Sequence, residues 1–260
     1  FIDCFNLKGS LTIPNKVKKI EKNAFLNCTC FDNSLILSDS IESIGEYAFF
    51  NCSSFSNDLK LPINFEKWSF ANCINFKSLQ LPSSLKQIDE NAFYNCQGFK
   101  GSLTIPDLVK SISESSFAFC SNFNGHLKLG ENLEFIGNSA FLNCYNFVGD
   151  LTIPNSIKII NEDTFKNCNS LNGTLIIPSS VEEIKKDAFN GPKFSKVLFL
   201  GNNKIECQSP IGLQANTVIT VNQDFKGDNF CSYEIIVEKK NEEHKKGLPT
   251  GAIIGIVMAV

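Results

Sequence analysis

Residues 85–106 read LKQIDENAFYNCQGFKGSLTIP, and residues 133–154 read LEFIGNSAFLNCYNFVGDLTIP. Set one above the other on Cys96 and Cys144, they share the phrase V/I/L-x-x-I-x-x-x-A-F-x-N-C-x-x-F-x-G-x-L-x-I/L-P. Looser versions surround Cys4, Cys28, Cys52, Cys73, Cys120 and Cys168, so that successive cysteines are 24, 24, 21, 23, 24, 24 and 24 residues apart. Self-similarity at a period of roughly 20–30 residues marks a solenoid, in which each unit is too small to bury its apolar side alone and stacks on the next. The 260 residues are therefore expected to form one elongated array without a single compact core.

The apolar residues are concentrated in columns of that array. The chain has 24 Phe against one Trp and four Tyr. One column holds Phe1, Phe25, Phe49, Phe70, Phe93, Phe117, Phe141, Phe165 and Phe189. A second holds Phe31, Phe55, Phe76, Phe99, Phe123 and Phe147, with Leu7 and Leu171 at its ends. Stacking turns each into a continuous aromatic ladder. The segment before each proline alternates, as in Leu103 and Ile105 or Leu151 and Ile153, which predicts a short half-buried strand. Pro14, Pro62, Pro82, Pro106, Pro154 and Pro178 follow, where a missing N–H ends the strand without interrupting it; Ser38 and Gly130 stand in the two exceptional units. The returning arc then carries apolar residues three apart, such as Val17 and Ile20.

The third unit is short, since Pro62 to Cys73 spans 11 residues where Pro14 to Cys28 spans 14. Phe65 and the single tryptophan, Trp68, occupy it. Two readings stand: rings filling space left by deleted residues, or, for Trp68, an exposed anchor of the kind favoured at interfaces. After Phe189 the phrase fades, Pro192 stands where a cysteine is due, and Val197 and Phe199 supply one last strand. Residues 201–237, with β-rich runs at Thr217 to Val221 and Tyr233 to Val237, suit a cap on the open end. Residues 238–248 read as a charged juxtamembrane linker. Residues 249–260 are uncharged and rich in Gly, Ala, Ile and Val, and are expected to begin a transmembrane helix continuing past Val260, because a span takes roughly 20 apolar residues. An apolar tail packed on the cap is the competing reading.

Composition and motif content exclude more chemistry than they suggest. Net charge is −3 and all 24 basic residues are lysine. Without the arginine fork for guanine and phosphate, nucleic-acid binding is not expected. The two histidines, His126 and His244, are far apart, and no nucleophile with a matched base, phosphate loop or zinc-ligand spacing is present. No catalysis, cofactor, metal or small-molecule substrate is expected. The cysteine column is expected to be a buried ladder of free thiols behaving as small hydrophobes. Cys207 and Cys231, outside the column, are the candidate disulfide of a secreted chain. Asparagine precedes six of the column cysteines, and its amides are expected to pair with the backbone of the next coil. Asn27, Asn51 and Asn172 open glycosylation sequons, with Asn172 in a loop.

Outward-facing strand positions vary while the inward ones hardly do. Asp58, Lys60, Gln80, Thr104, His126, Lys128, Asp150 and Thr152, together with Trp68, are the ligand-binding candidates, on the argument that a parallel sheet with a variable polar face is the usual binding surface of a curved solenoid. A merely solvated face fits the same pattern.

The phrases IEKNAFLNC, IGEYAFFNC, IDENAFYNC and IGNSAFLNC, each followed by a strand, with SLTIP and DLTIP in the clearest units, resemble the BspA-like leucine-rich repeats, covering residues 1 to about 200. The resemblance implies a right-handed leucine-rich-repeat solenoid, here of eight or nine coils with a β-rich C-terminal cap. It also implies a surface protein of the kind found in bacteria and anaerobic protists, adhering to proteins or glycans of a host or of neighbouring cells. The C-terminal apolar run looks like the membrane anchor of the protist branch, which places the repeats outside the cell. The alternative is an intracellular scaffold of the same fold for protein–protein interaction. Departures from the pattern are the short third coil, Ser69, Ser116 and Thr164 for Ala, and Phe119 for Asn.

Overall fold

The computed structural model describes residues 1–61, 64–208 and 210–238. They wind into a β-solenoid that carries two ladders of parallel strands, and among the described residues there is no helix. The first ladder runs through Leu11–Thr12, Leu35–Ile36, Leu59–Lys60, Leu79–Gln80, Leu103–Thr104, Leu127–Lys128 and Leu151–Thr152, then through the longer Thr174–Ile177, Lys196–Phe199, Val218–Asn222 and Ile236–Glu238. These are the strands expected before each proline. The sequence pointed to Val197 and Phe199 as the last of them, but two more strands follow in the same ladder, Lys196 pairing with Val218 and Thr220 with Ile236.

The second ladder was not anticipated. It lies in the returning arc at Lys19–Ile20, Ser43–Ile44, Asn64–Phe65, Gln87–Ile88, Ser111–Ile112, Phe135–Ile136, Ile159–Ile160, Glu183–Ile184 and Glu206–Cys207. Between the ladders the proline carbonyl closes a tight turn, accepting from the amide three residues on: Val17 to Pro14, 2.9 Å, and Val109 to Pro106, 3.0 Å. Ser38 and Gly130 do the same in their coils.

The interior is the stack of columns. Rings of the first Phe column lie 5.3 Å apart from Phe1 to Phe25 and 5.7 Å apart from Phe165 to Phe189, nearly parallel at 3° in both pairs. The second column stacks likewise, with Phe123 on Phe147 at 5.2 Å. The columns meet edge to face, as between Phe141 and Phe147 at 6.4 Å and 75°. Both arrangements suit the quadrupole of the ring, worth about 0.5–1.5 kcal/mol per pair beyond the area buried.

Each thiol of the column from Cys28 to Cys168 donates to the carbonyl of the Phe one coil earlier. Cys120 reaches Phe93 O at 3.0 Å, Cys144 reaches Phe117 O at 3.1 Å and Cys168 reaches Phe141 O at 3.2 Å. That carbonyl already accepts the amide of the cysteine in its own coil, as Phe93 O does from Cys96 N at 3.2 Å. Cysteine is thus a small apolar filler with one weak donor aimed at the remaining lone pair. All seven thiols from Cys28 to Cys168 in the column are buried and unpaired. Burial pushes them up, Cys73 to about 12.

Asparagine before the cysteine has a reason the sequence did not disclose. Asn27, Asn51, Asn72, Asn95, Asn143 and Asn167 have φ of 57–62°, the left-handed region that asparagine tolerates best after glycine. Their side chains pair with one another, contrary to the expected pairing with backbone: Asn51 Nδ2 donates to Asn27 Oδ1 at 3.0 Å, and Asn95 to Asn72 at 2.8 Å. A second left-handed column four residues earlier holds Asn23, Tyr47, Trp68, Asn91, Ser115, Ser139, Asp163 and Asp187.

In the short third coil, Asn64–Phe65 pairs with Ser43–Ile44 at an offset of 21 residues where full coils step by 24. Phe65 takes the place of an isoleucine, is 3% exposed and meets Phe93 edge to face at 5.1 Å. It fills the space left by the missing residues; Trp68 does not, being half-exposed beside Tyr47.

The far end is closed by Phe199 against Phe225 and Phe230, by the Tyr233 hydroxyl donating to Leu213 O at 2.9 Å, and by a disulfide between Cys207 and Cys231 with Cα atoms 5.4 Å apart. The linker from residue 239 and the apolar run 249–260 lie outside the described residues. Among the described residues no helix is long and apolar enough to cross a membrane.

Candidate functional site

The first ladder presents one side to the core and the other to solvent. Leu103, Leu127, Leu151 and Leu175 point in and are 0–4% exposed. Their outward neighbours are in register, Thr104 beside Lys128 and Thr152 beside Ile176. Asp58, Lys60, Gln80, Thr104, His126, Lys128, Asp150 and Thr152 are all exposed, and the ladder sets them on one face.

Several of these side chains also hold neighbouring coils together. Asp58 accepts from Ser78 Oγ at 2.7 Å, and Asp150 accepts the Thr174 amide at 2.6 Å. Lys60 makes a solvent-exposed pair with Asp39 at 3.4 Å, a geometry that contributes little to stability. Lys128 has no ion-pair partner among the described residues. The face is thus a largely polar strip, interrupted by Ile36 and Ile176, in which the acidic members are anchored and Lys128, Gln80 and Thr104 are free to contact a ligand.

Trp68 is not on this strip. It lies in the arc before the cysteine column, with φ of 59°, and its ring stacks on Tyr47 at 5.8 Å and 9°. Phe50, Tyr94 and Phe119 continue the contact, giving an aromatic row that sequence reading had not assembled. The available signal was that Tyr47, Trp68 and Phe119 occupy columns otherwise filled by Asn, Asp or Ser.

The sequons differ in access. Asn27 and Asn51 are half-buried, with Nδ2 already donating to Asp3 Oδ1 at 2.9 Å and to Asn27 Oδ1 at 3.0 Å. Asn172 is exposed in a loop before Thr174 and is the one an attached glycan would fit.

A family model for the BspA type leucine rich repeat region matches in six copies, over residues 1–101, 59–172 and 99–209. The chain belongs to the BspA-type leucine-rich repeat family. No curated protein matches it. Among solved structures, this BspA-type chain is similar to a leucine-rich repeat protein from Bacteroides ovatus, at TM-score 0.67 and 21% identity over 91% of this chain and 61% of that one. It is also similar to a leucine rich cell surface protein from Faecalibacterium prausnitzii, at TM-score 0.51 and 18% identity over 89% and 79% of the two chains. At such identities the likeness is one of fold, and function in this fold resides in the particular side chains it displays.

Proposed function

We propose that this BspA-type protein is a non-enzymatic recognition protein of the cell surface, binding proteins or glycans of a host or of neighbouring cells through the outer face of its first ladder. The observation that carries this reading is the contrast between the two sides of that ladder. Inward positions are nearly invariant and mostly buried, whereas the outward ones change from coil to coil and are mostly polar, with Ile36 and Ile176 as the apolar exceptions. In this reading the charged segment and apolar run at 238–260 tether the repeats to the membrane, and the Cys207–Cys231 disulfide suits an oxidising exterior. Asn172 is available for a glycan there.

The test is binding of the purified repeats to arrays of extracellular-matrix proteins and of glycans. Ligands captured by the wild-type chain are rescreened with a Gln80→Ala, Thr104→Ala, Lys128→Ala triple variant, whose positions lie on the exposed row. Loss of capture by the variant with unchanged melting supports the reading. Capture that survives the variant in full sinks it.

A further inference from the structure

The aromatic row beside the short third coil is a second surface, away from the strand face. Tyr47, Phe50, Trp68, Tyr94 and Phe119 are all half-exposed and touch in sequence. Tyr47 meets Phe50 at 5.5 Å and Trp68 at 5.8 Å, Trp68 meets Tyr94 at 5.8 Å, and Tyr94 meets Phe119 at 5.3 Å. The row crosses coils two to five. Three of its members stand in left-handed backbone, at φ of 55° for Tyr47, 59° for Trp68 and 63° for Phe119. Bulky side chains rarely adopt that conformation, and the other members of both columns are Asn, Asp or Ser. Phe119 also removes a link from the asparagine ladder between Asn95 and Asn143. Nothing in the core requires these rings, because the neighbouring coils close without them.

The ground around the row is acidic. Of the lysines in the arc, Lys22 and Lys67 are both engaged by Glu46, at 2.7 and 3.4 Å. Glu66, Glu90 and Glu114 have no salt-bridge partner among the described residues and are exposed. Coil stacking sets them in the same arc as the rings: the Trp68 amide donates to Glu90 O at 3.0 Å, the Asn91 amide donates to Glu114 O at 3.0 Å, and a Glu66 carboxylate oxygen accepts the Glu46 amide, next to Tyr47, at 3.0 Å. Behind Glu66 a notch of about 330 Å³ opens between coils two and four, with Phe65 on its wall and Asp89 and Lys86 at its rim. The Asp89 carboxyl is pushed up chiefly by burial, partly offset by the hydrogen bond it accepts from Gln87 Nε2 at 2.8 Å, with a smaller contribution from Glu66.

We propose that this row is a docking site for an extended cationic segment of a partner protein, with arginine or lysine side chains over the faces of Trp68 and Tyr94 and their charge met by Glu66, Glu90 and Glu114. Aromatic faces attract cations, and carboxylates beside them add to the same field. This inference does not rest on the strand-face reading and stands or falls separately.

Trp68 is the single tryptophan, so its emission reports the site directly. The probe is an acetylated, amidated ten-residue peptide of alternating Arg and Gly, with an all-Glu counterpart and cellohexaose as alternatives. A saturable change of Trp68 emission is expected with the Arg peptide alone. By anisotropy of the labelled peptide, Trp68→Asn weakens binding about tenfold, the scale of one desolvated cation–aromatic contact. Asn23 and Asn91 already hold the same backbone conformation in that column, so Trp68→Asn keeps the coil folded. Glu90→Gln with Glu114→Gln weakens binding as well, whereas Glu131→Gln with Asp228→Asn, the same charge change elsewhere, leaves it unchanged. No saturable response to the Arg peptide, an equal response to cellohexaose or the Glu peptide, or wild-type affinity in Trp68→Asn would each overturn the proposal.

Discussion

Replacing Phe141 by alanine tests whether the aromatic columns hold the solenoid together. Phe141 is 0% exposed, stacks on Phe117 and on Phe165 at 5.5 Å each, and meets Phe147 edge to face. Truncating a buried Phe costs about 3–5 kcal/mol, and loss of two stacked faces puts this site at the upper end. Phe141→Leu keeps most of the volume and loses the stacks, for about 1–2 kcal/mol. At a urea slope of about 2–3 kcal/mol per molar, the alanine variant unfolds about 2 M earlier. The position along the array adds a second signature. Coils contact only their neighbours, so weakening coil six also separates the N-terminal coils, which Trp68 reports, from the rest, which far-UV circular dichroism reports in addition. The two probes should coincide in the wild type and part in Phe141→Ala. A shift below about 0.5 M, or a leucine variant as damaged as the alanine one, would refute the stacked-column account.

Alkylation with iodoacetamide at pH 8 should modify Cys4 and Cys30 in the native protein and the seven buried column thiols only after unfolding, because burial keeps those thiols protonated as well as inaccessible; mass spectrometry counts the adducts. Replacing Cys207 by serine should cost about 3.5 kcal/mol, the loop-closure value for a link spanning 24 residues, and reduction of the wild type should lower its urea midpoint equally. Asp89 has its folded pKa raised by burial and by Glu66, so the folded state binds its proton more tightly than the unfolded one. Stability from this group therefore falls as pH rises through the carboxylate range, and Asp89→Asn should raise the urea midpoint at pH 7 while leaving it unchanged at pH 3.

The first ladder and both Phe columns were legible because their inward positions accept little except Leu, Ile and Phe, and a 24-residue period lines them up. The second ladder was not. Its strands are two residues long, with Lys19, Ser43, Gln87 and Glu183 sharing one position, so there is no alternation to read, and stacking alone brings the main chains into register. The cysteines were legible as buried thiols, but their shared acceptor became visible only once Phe93 O was placed against both Cys96 N and Cys120 Sγ. Asparagine looked like a backbone partner and proved to be a left-handed residue whose amides pair with each other. The aromatic row was hidden because its rings come from three columns, Tyr47 and Trp68 from one, Phe50 and Tyr94 from another and Phe119 from the asparagine column, and only the winding of the coil makes them neighbours.

Outward display is the claim on which the recognition reading depends, and it is tested most directly by labelling intact cells that carry the native full-length protein with an antibody against the repeats. Labelling without permeabilisation is expected, at the level reached after permeabilisation. Signal that emerges only once the cells are permeabilised would contradict a cell-surface recognition protein and return the fold to an intracellular scaffold.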